Sequence, residues 1–430
     1  MDVVIRNARV VDAARDETAD VGITDGKITA VEPSITASAR VEIDAGGQVL
    51  FPGLIDPHVH FNEPGRADWE GFETGTTALA KGGVTSFFDM PLNSSPPTTT
   101  VEAFDLKRRI ADEKSKVHAY LWGGLVPDNL DQLEGLAQRG VIGFKAFMSN
   151  SGIADFSAAD ETTLERGMEI IAGLGSILAV HAEDDTLTSQ LAQAAIGEGR
   201  TTVSDYLASR PPHAELEAIA RAVVLAEKTG CRLHIVHVST PQGVMMVKEA
   251  QQCGVDVTCE TCPHYLVLTE DDVERIGAAT KCAPPVRSAQ ERDALWYCLL
   301  AGDVPMIASD HSPSPADLKQ GEDFFAIWGG IASCQSTLSL MLTYGYHQRG
   351  MSLSQITAVT SGNIAERFGL ASKGRIAEGM DADLTLVDVD AAYTLSADDL
   401  EYRHKISPYI GIELRGKVLR TWVGGEQVYG

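Results

Sequence analysis

Eight short apolar runs, each long enough for one buried strand, recur through the middle of this 430-residue chain. They are Gly53–His60, Val84–Met90, Val117–Leu125, Val141–Met148, Ser176–Glu183, Arg232–Ser239, Val255–Cys262 and Pro305–Asp310. Near-continuous apolar runs of this kind suit strands covered on both faces. Several of the intervening segments carry helical periodicity. Ala214–Lys228, after the helix-limiting Pro211-Pro212, is predicted to bury Leu216, Ile219, Ala220, Val223 and Val224 on one face. Eight buried strands alternating with helices predict an α/β fold, a closed parallel (β/α)8 barrel over residues 52–372.

The two chain ends read alike and differently from the middle. Val3–Val11, Lys27–Val31 and Val41–Ile43 alternate at one end, with Asp25-Gly26 as a turn. Arg375-Ile376, Asp383–Val387 and Val418–Val423 do so at the other, with Gly424-Gly425 as a turn. Neither end has enough strand for a core of its own. Residues 1–51 plus 373–430 are therefore expected to build one small β-sandwich domain beside the barrel.

A formal net charge of −25 repels nucleic acid and anionic membranes, so neither is an expected partner. Seven scattered cysteines fit a reducing compartment better than a disulfide framework. The start, Met1-Asp2-Val3-Val4-Ile5-Arg6, lacks the basic-then-apolar pattern of a secretory signal, and the cytoplasm is the default expectation.

In such barrels the functional face lies at the carboxyl ends of the strands. There the first run ends Asp56-Pro57-His58-Val59-His60, and residues two apart on a strand share a face. The fifth run ends in His181-Ala182-Glu183, the sixth in His237-Val238-Ser239, and the eighth in Asp310, followed by His311. Single histidines at such places are usually core or loop residues. Four histidines and an aspartate at four predicted strand ends converge as a metal site must. Lys145 lies between Phe144 and Phe147 on the fourth run. It is either a lysine that snorkels to the barrel mouth or a neutral amine able to react with carbon dioxide.

These residues resemble the amidohydrolase superfamily, in its cyclic amidase branch of dihydroorotases, hydantoinases and allantoinases. The likeness runs over nearly the whole chain, and Phe51–His60 is similar to the branch's opening motif. The resemblance implies a TIM-like barrel in which His58 and His60 bind the more buried of two divalent metal ions. It implies that Lys145 is carbamylated and bridges both metals, and that His181 and His237 bind the second. Asp310 would bind the first metal and shuttle protons as the catalytic residue. Zinc is the expected ion for such ligands, with manganese, cobalt and iron as alternatives. A homo-oligomer, a tetramer, is the assembly the resemblance implies.

Within the branch, dihydroorotases carry an arginine two residues after the H-x-H pair and a histidine four after the last aspartate; here those positions are Asn62 and Ser314. Hydantoinases carry a tyrosine five residues after the lysine, where this chain has Asn150. The segments Asn62–Arg66, Trp69–Thr76, Met90–Ser94, Cys259–Tyr265, Lys281–Pro285, Trp328–Ala332 and Leu400–Lys405 resemble bacterial allantoinases instead. That implies a neutral small-molecule substrate, allantoin, opened to allantoate. Another hydantoin or dihydropyrimidine ring is the alternative, and a non-catalytic scaffold the remote one. Asn93 is similar to the branch's substrate-contacting asparagine, and Asn62, Ser314 and the backbone of Ser288 are further candidate contacts. The candidate loops at the mouth are Ser94–Thr100 and Ser312–Asp323. Cys259 and Cys262 are expected to be structural, and His234 to face outward beneath the helices.

Overall fold

The computed structural model describes residues 1–430. The eight barrel strands are Leu54–Val59, Val84–Asp89, the broken third strand His118–Leu121 with Gly123–Gly124, then Phe144–Phe147, Ile177–His181, Arg232–Ile235, Val257–Thr261 and Met306–Ile307. All their pairings are parallel. A parallel bridge between Val59 and His311 joins the last strand to the first. Every predicted run holds one strand, and each strand is shorter than its run, because the run also covers the turn that carries the chemistry.

Buried side chains such as Ile55, Phe88, Trp122, Ile177, Ala179, Val236 and Met306 form one apolar cluster that fills the barrel. Phe87, Leu178, Leu233 and Ile235 belong to the larger cluster beneath the helices. Local chemistry sets the turns from strand to helix. Asp184 accepts a hydrogen bond from the backbone N–H of Leu187. Thr240 accepts from Gly243 N, with Pro241 at the first helical position. Both are N-caps, worth about 1 kcal/mol each.

The helix expected over Ala214–Lys228 spans Pro212–Thr229, but its buried face is rotated from the predicted one. Ala214, Glu215, Ala218, Ile219, Ala222, Leu225 and Ala226 face inward, and Val224 is 61% exposed. The rotation follows from Glu215. Its carboxylate accepts from Ser239 N at 2.8 Å, Ser239 Oγ at 3.0 Å and Thr240 Oγ1 at 2.7 Å. A buried carboxylate with three donors outweighs exposing one valine.

The chain ends join in a single eight-stranded sheet, in which Val49–Pro52 pairs with Leu384–Thr394. Seventeen buried residues from both ends, among them Val10, Ile23, Ile376, Leu386 and Trp422, form its core. Asp25-Gly26 and Gly424-Gly425 turn as predicted, with positive φ at all four residues, as tight hairpins require. Val49–Pro52 and Glu426–Tyr429 have no counterpart in the sequence reading, and neither has Asp16–Thr24. In the last of these, residues 19–23 are all buried, so alternation is absent, and Asp20 among them accepts from Asn7 N and Ile35 N. No helix is long and apolar enough to cross a membrane, and all seven cysteines are unbonded.

Candidate active site

The carboxyl ends of the strands bring His58, His60 and Asp310 together, their candidate ligand atoms all within 4.8 Å of one another. Asp310 Oδ1 lies 3.2 Å from His58 Nε2 and 3.4 Å from His60 Nε2. His58 donates through Nδ1 to Glu260 Oε1 at 2.7 Å, and His60 Nδ1 lies 3.2 Å from the Leu92 carbonyl. Each ring therefore has its Nδ1 engaged on the far side and turns its Nε2 toward Asp310. Beside this set, His181 Nδ1 lies 3.0 Å from His237 Nε2. His181 donates through its other nitrogen to Glu183 Oε2 at 2.9 Å, which frees Nδ1 to act as a ligand.

Burial lowers the basicity of His58, His181 and His237, the last well below the usual range, where the charges of His181 and Lys145 add to the effect. These imidazoles are neutral near pH 7, as ligation demands. Burial alone would raise the Asp310 carboxyl, but His58, His60 and His237 hold it well below the usual carboxylate range. Asp310 is therefore ionised. His237 and Asp310 both adopt positive φ, 39° and 45°. Non-glycine residues pay about 1–3 kcal/mol for this, a cost that collects at functional sites.

Lys145 is fully buried, and its Nζ has no hydrogen-bond partner. It lies 4.9 Å from the Phe147 ring centroid. Burial lowers its pKa to about 7, against the opposing pull of Glu260 and Asp310. The amine is thus substantially neutral at physiological pH, and the snorkelling alternative does not describe it. Neutral imidazole nitrogens, an ionised aspartate and a buried amine that carbon dioxide can convert to a carboxylate form a donor set suited to divalent metal ions.

The cluster opens into a pocket of about 360 Å³. His58, His60, His181, His237 and Asp310 line one side, with Asn93 and Phe147. The opposite wall is Tyr206, Ser209, Arg210, Lys281 and the segment 325–330. Of the predicted contacts, Asn93 lines the pocket, whereas Asn62, Ser288 and Ser314 are not in its lining; Asn150, where hydantoinases carry a tyrosine, also lines it. Asn62 donates to the Pro313 carbonyl at 3.3 Å. Ser288 caps the helix Ala289–Leu300. Ser314 borders a small neighbouring cavity with Lys319. Of the two candidate loops, Ser312 reaches the pocket, and Ser94–Thr100 lies outside its lining.

Arg66 points to the backbone of Asn93 and stacks near Trp69, away from the pocket lining. His311 turns from the cluster, accepting from Ser333 N and packing on Tyr402. His264 is fully buried, 4.2 Å from the Tyr265 ring. The expectation for His234 is corrected: its Nε2 lies 3.1 Å from Glu260 Oε2, so one carboxylate joins it to His58. A spacing of three sets His234 opposite His237 only on an unbroken strand, whereas this strand ends at Ile235 and His237 has a positive φ.

Glu260, Glu183, Arg210 and Lys281 are the residues that the sequence reading missed as parts of the site. Glu183 and Glu260 each lie within two residues of a strand end, the one signal that would have marked them. Glu183 is gripped by Arg210 as well as His181, and these overcome its burial to hold it at about 2. Arg210 brings a cation to the pocket wall, and burial lowers the Lys281 amine beside it to about 7.

The amidohydrolase family model matches residues 49–428. The chain is 54% identical to an allantoinase of Rubrobacter xylanophilus over 428 residues, which is 100% of this chain and 94% of the relative. It is 50% identical to an allantoinase of Deinococcus radiodurans over 429 residues, 100% of this chain and 95% of that protein. Among solved structures, an L-hydantoinase (dihydropyrimidinase) from Arthrobacter aurescens superposes with a TM-score of 0.97 at 36% identity, covering 100% of this chain and 96% of that one.

Proposed function

The chain belongs to the amidohydrolase family, and from that membership we propose that it is a metal-dependent cyclic amide hydrolase that opens allantoin to allantoate. The observation that carries the reading is the donor set: four imidazoles and an ionised aspartate on one side of a pocket, with the unpartnered Lys145 amine buried beside them, and with the other ring nitrogen of His58, His60 and His181 already hydrogen-bonded. The choice of ring follows the full-length likeness to allantoinases.

In this reading His58, His60 and Asp310 hold one divalent metal ion, and His181 and His237 a second. The Lys145 amine, on adding to carbon dioxide and losing a proton, would supply a carboxylate as a further ligand for these ions. Zinc is the ion these ligands favour. Such ions lower the pKa of water toward neutrality and polarise a carbonyl, the two needs of amide hydrolysis. Asp310, ionised and at the pocket floor, accepts the proton of the attacking water and returns it to the departing ring nitrogen. Phe147 and Trp328 wall the ring from bulk water. Glu183 and Glu260 fix the rings of His181 and His58. We assign the enzyme to the cytoplasm and to a homo-oligomer, the tetramer of the family pattern.

The structural likeness to an L-hydantoinase favours a second reading, in which the substrate is a hydantoin with an apolar arm. Metal-replete enzyme assayed on allantoin, dihydroorotate and 5-methylhydantoin separates the two. Allantoin should give the highest kcat/KM. A higher value for 5-methylhydantoin would replace this reading by the second, and a higher value for dihydroorotate would reject both.

A further inference from the structure

Arg210 stands at the wall of the pocket with more hydrogen-bond donors than the protein uses. A guanidinium presents five N–H donors in a rigid fork. Nη1 is bonded to Glu183, and that is the only protein acceptor the side chain takes. The side chain is 19% exposed and lines the same pocket as the candidate metal ligands. Its place is fixed from behind. The guanidinium carbon lies 5.8 Å from the Tyr206 ring centroid. The Arg210 carbonyl accepts from Arg287, whose Nε donates to Ser239 Oγ at 3.0 Å. Ser239 in turn is held by the buried Glu215. The other basic side chain of the lining is differently committed: Lys281 donates through Nζ to the carbonyls of Phe325 and Ile327, and burial lowers it to about 7. Arg210 is thus the pocket cation with donors left for a ligand.

We propose that Arg210 is a specificity-determining residue whose unspent N–H donors take the carbonyl oxygen of the ureido arm of the substrate. The proposal rests on the allantoin reading and deepens it. A urea carbonyl offers two in-plane lone pairs, which suit a planar fork, whereas an alkyl arm at the same ring carbon offers no acceptor. The contact with Glu183 leaves the guanidinium charged and holds its plane.

The test compares wild type, Arg210→Lys and Arg210→Met, each loaded with the same divalent metal, on allantoin and on 5-methylhydantoin, with metal content measured for each. The lysine variant keeps a cation beside Glu183 and so preserves the support of His181. It should lose about 10- to 100-fold in kcat/KM on allantoin, the scale of a lost hydrogen bond to a charged group, and stay within about 3-fold on 5-methylhydantoin. The methionine variant should show the same selective loss or a larger one. If it misfolds or loses metal, the lysine variant still decides. Equal losses on both substrates in Arg210→Lys would mean that Arg210 acts only through Glu183 and His181, and would overturn the proposal. Unchanged allantoin kinetics would overturn it too. Failure of the substrate reading is seen separately, before any variant is made: wild type that opens 5-methylhydantoin and not allantoin removes the ureido arm from the argument.

Discussion

Replacing Glu260 by glutamine removes one negative charge from the centre of the barrel while keeping the side chain's shape. Glu260 is 1% exposed. Its two oxygens lie 2.7 Å from His58 Nδ1 and 3.1 Å from His234 Nε2. His234 is itself tied by Nδ1 to Thr258 Oγ1 at 2.8 Å. Glutamine keeps an oxygen for one imidazole and turns an NH2 toward the other, so one buried donor loses its acceptor. A hydrogen bond to a charged group is worth about 1.5–3 kcal/mol, and Glu260→Gln should cost roughly that in the metal-free protein. Of a total stability near 5–15 kcal/mol this is readily measured. The His58 ring also loses the carboxylate that orients it and raises its basicity, which should weaken metal binding about 10- to 100-fold. Urea unfolding of the metal-free protein reads the first effect, and titration against a competing chelator the second. A stability change under about 0.5 kcal/mol together with unchanged metal affinity would refute the assigned role.

Lys145→Ala should lose bound metal and ring-opening activity together, with partial recovery in a short free carboxylic acid; full activity with metal retained would contradict the carbamate. Asp310→Asn should lower kcat at least about 100-fold even when metal-replete, the scale of lost acid–base catalysis; metal content and single-turnover rates check it. Glu183 and Glu260 are both held at about 2, against the ordinary 4.5, because Arg210 with His181 and His234 with His58 overcome the effect of burial. Carboxyls lowered in the folded state contribute stability that is complete above about 4.5 and lost as pH falls toward 2. Urea unfolding between those limits should therefore show a steep acid limb, and Glu260→Gln should flatten it.

The eight-strand alternation was legible because buried parallel strands leave apolar runs that no solvent-exposed face interrupts. The convergence of His58, His60, His181, His237 and Asp310 was legible because these residues sit at strand ends, where chain position and spatial position coincide. The support around them was not. Glu260 reads as one more strand residue until the fold sets it against His58, 202 positions away in sequence. Arg210 reads as a surface arginine, in the short segment between the helices Val203–Ala208 and Pro212–Thr229. Only the barrel's closure turns it toward Glu183. The face of Pro212–Thr229 was misread for a related reason, since a hydrophobicity count cannot know that Glu215 is needed inside to hold Ser239 and Thr240. Ser314 was singled out by its spacing from Asp310 and borders a side cavity, whereas Ser288 was singled out for its backbone and its side chain caps a helix.

The central claim is that the clustered histidines, Asp310 and Lys145 hold metal ions on which ring opening depends. The direct measurement is allantoin hydrolysis as a function of bound metal per chain, in enzyme stripped by chelator and reloaded with zinc, manganese, cobalt or ferrous iron in the presence of bicarbonate. The account predicts no turnover in stripped enzyme and a rate that rises with loading to two ions per chain. Full-rate turnover by a chain that holds no metal would contradict it.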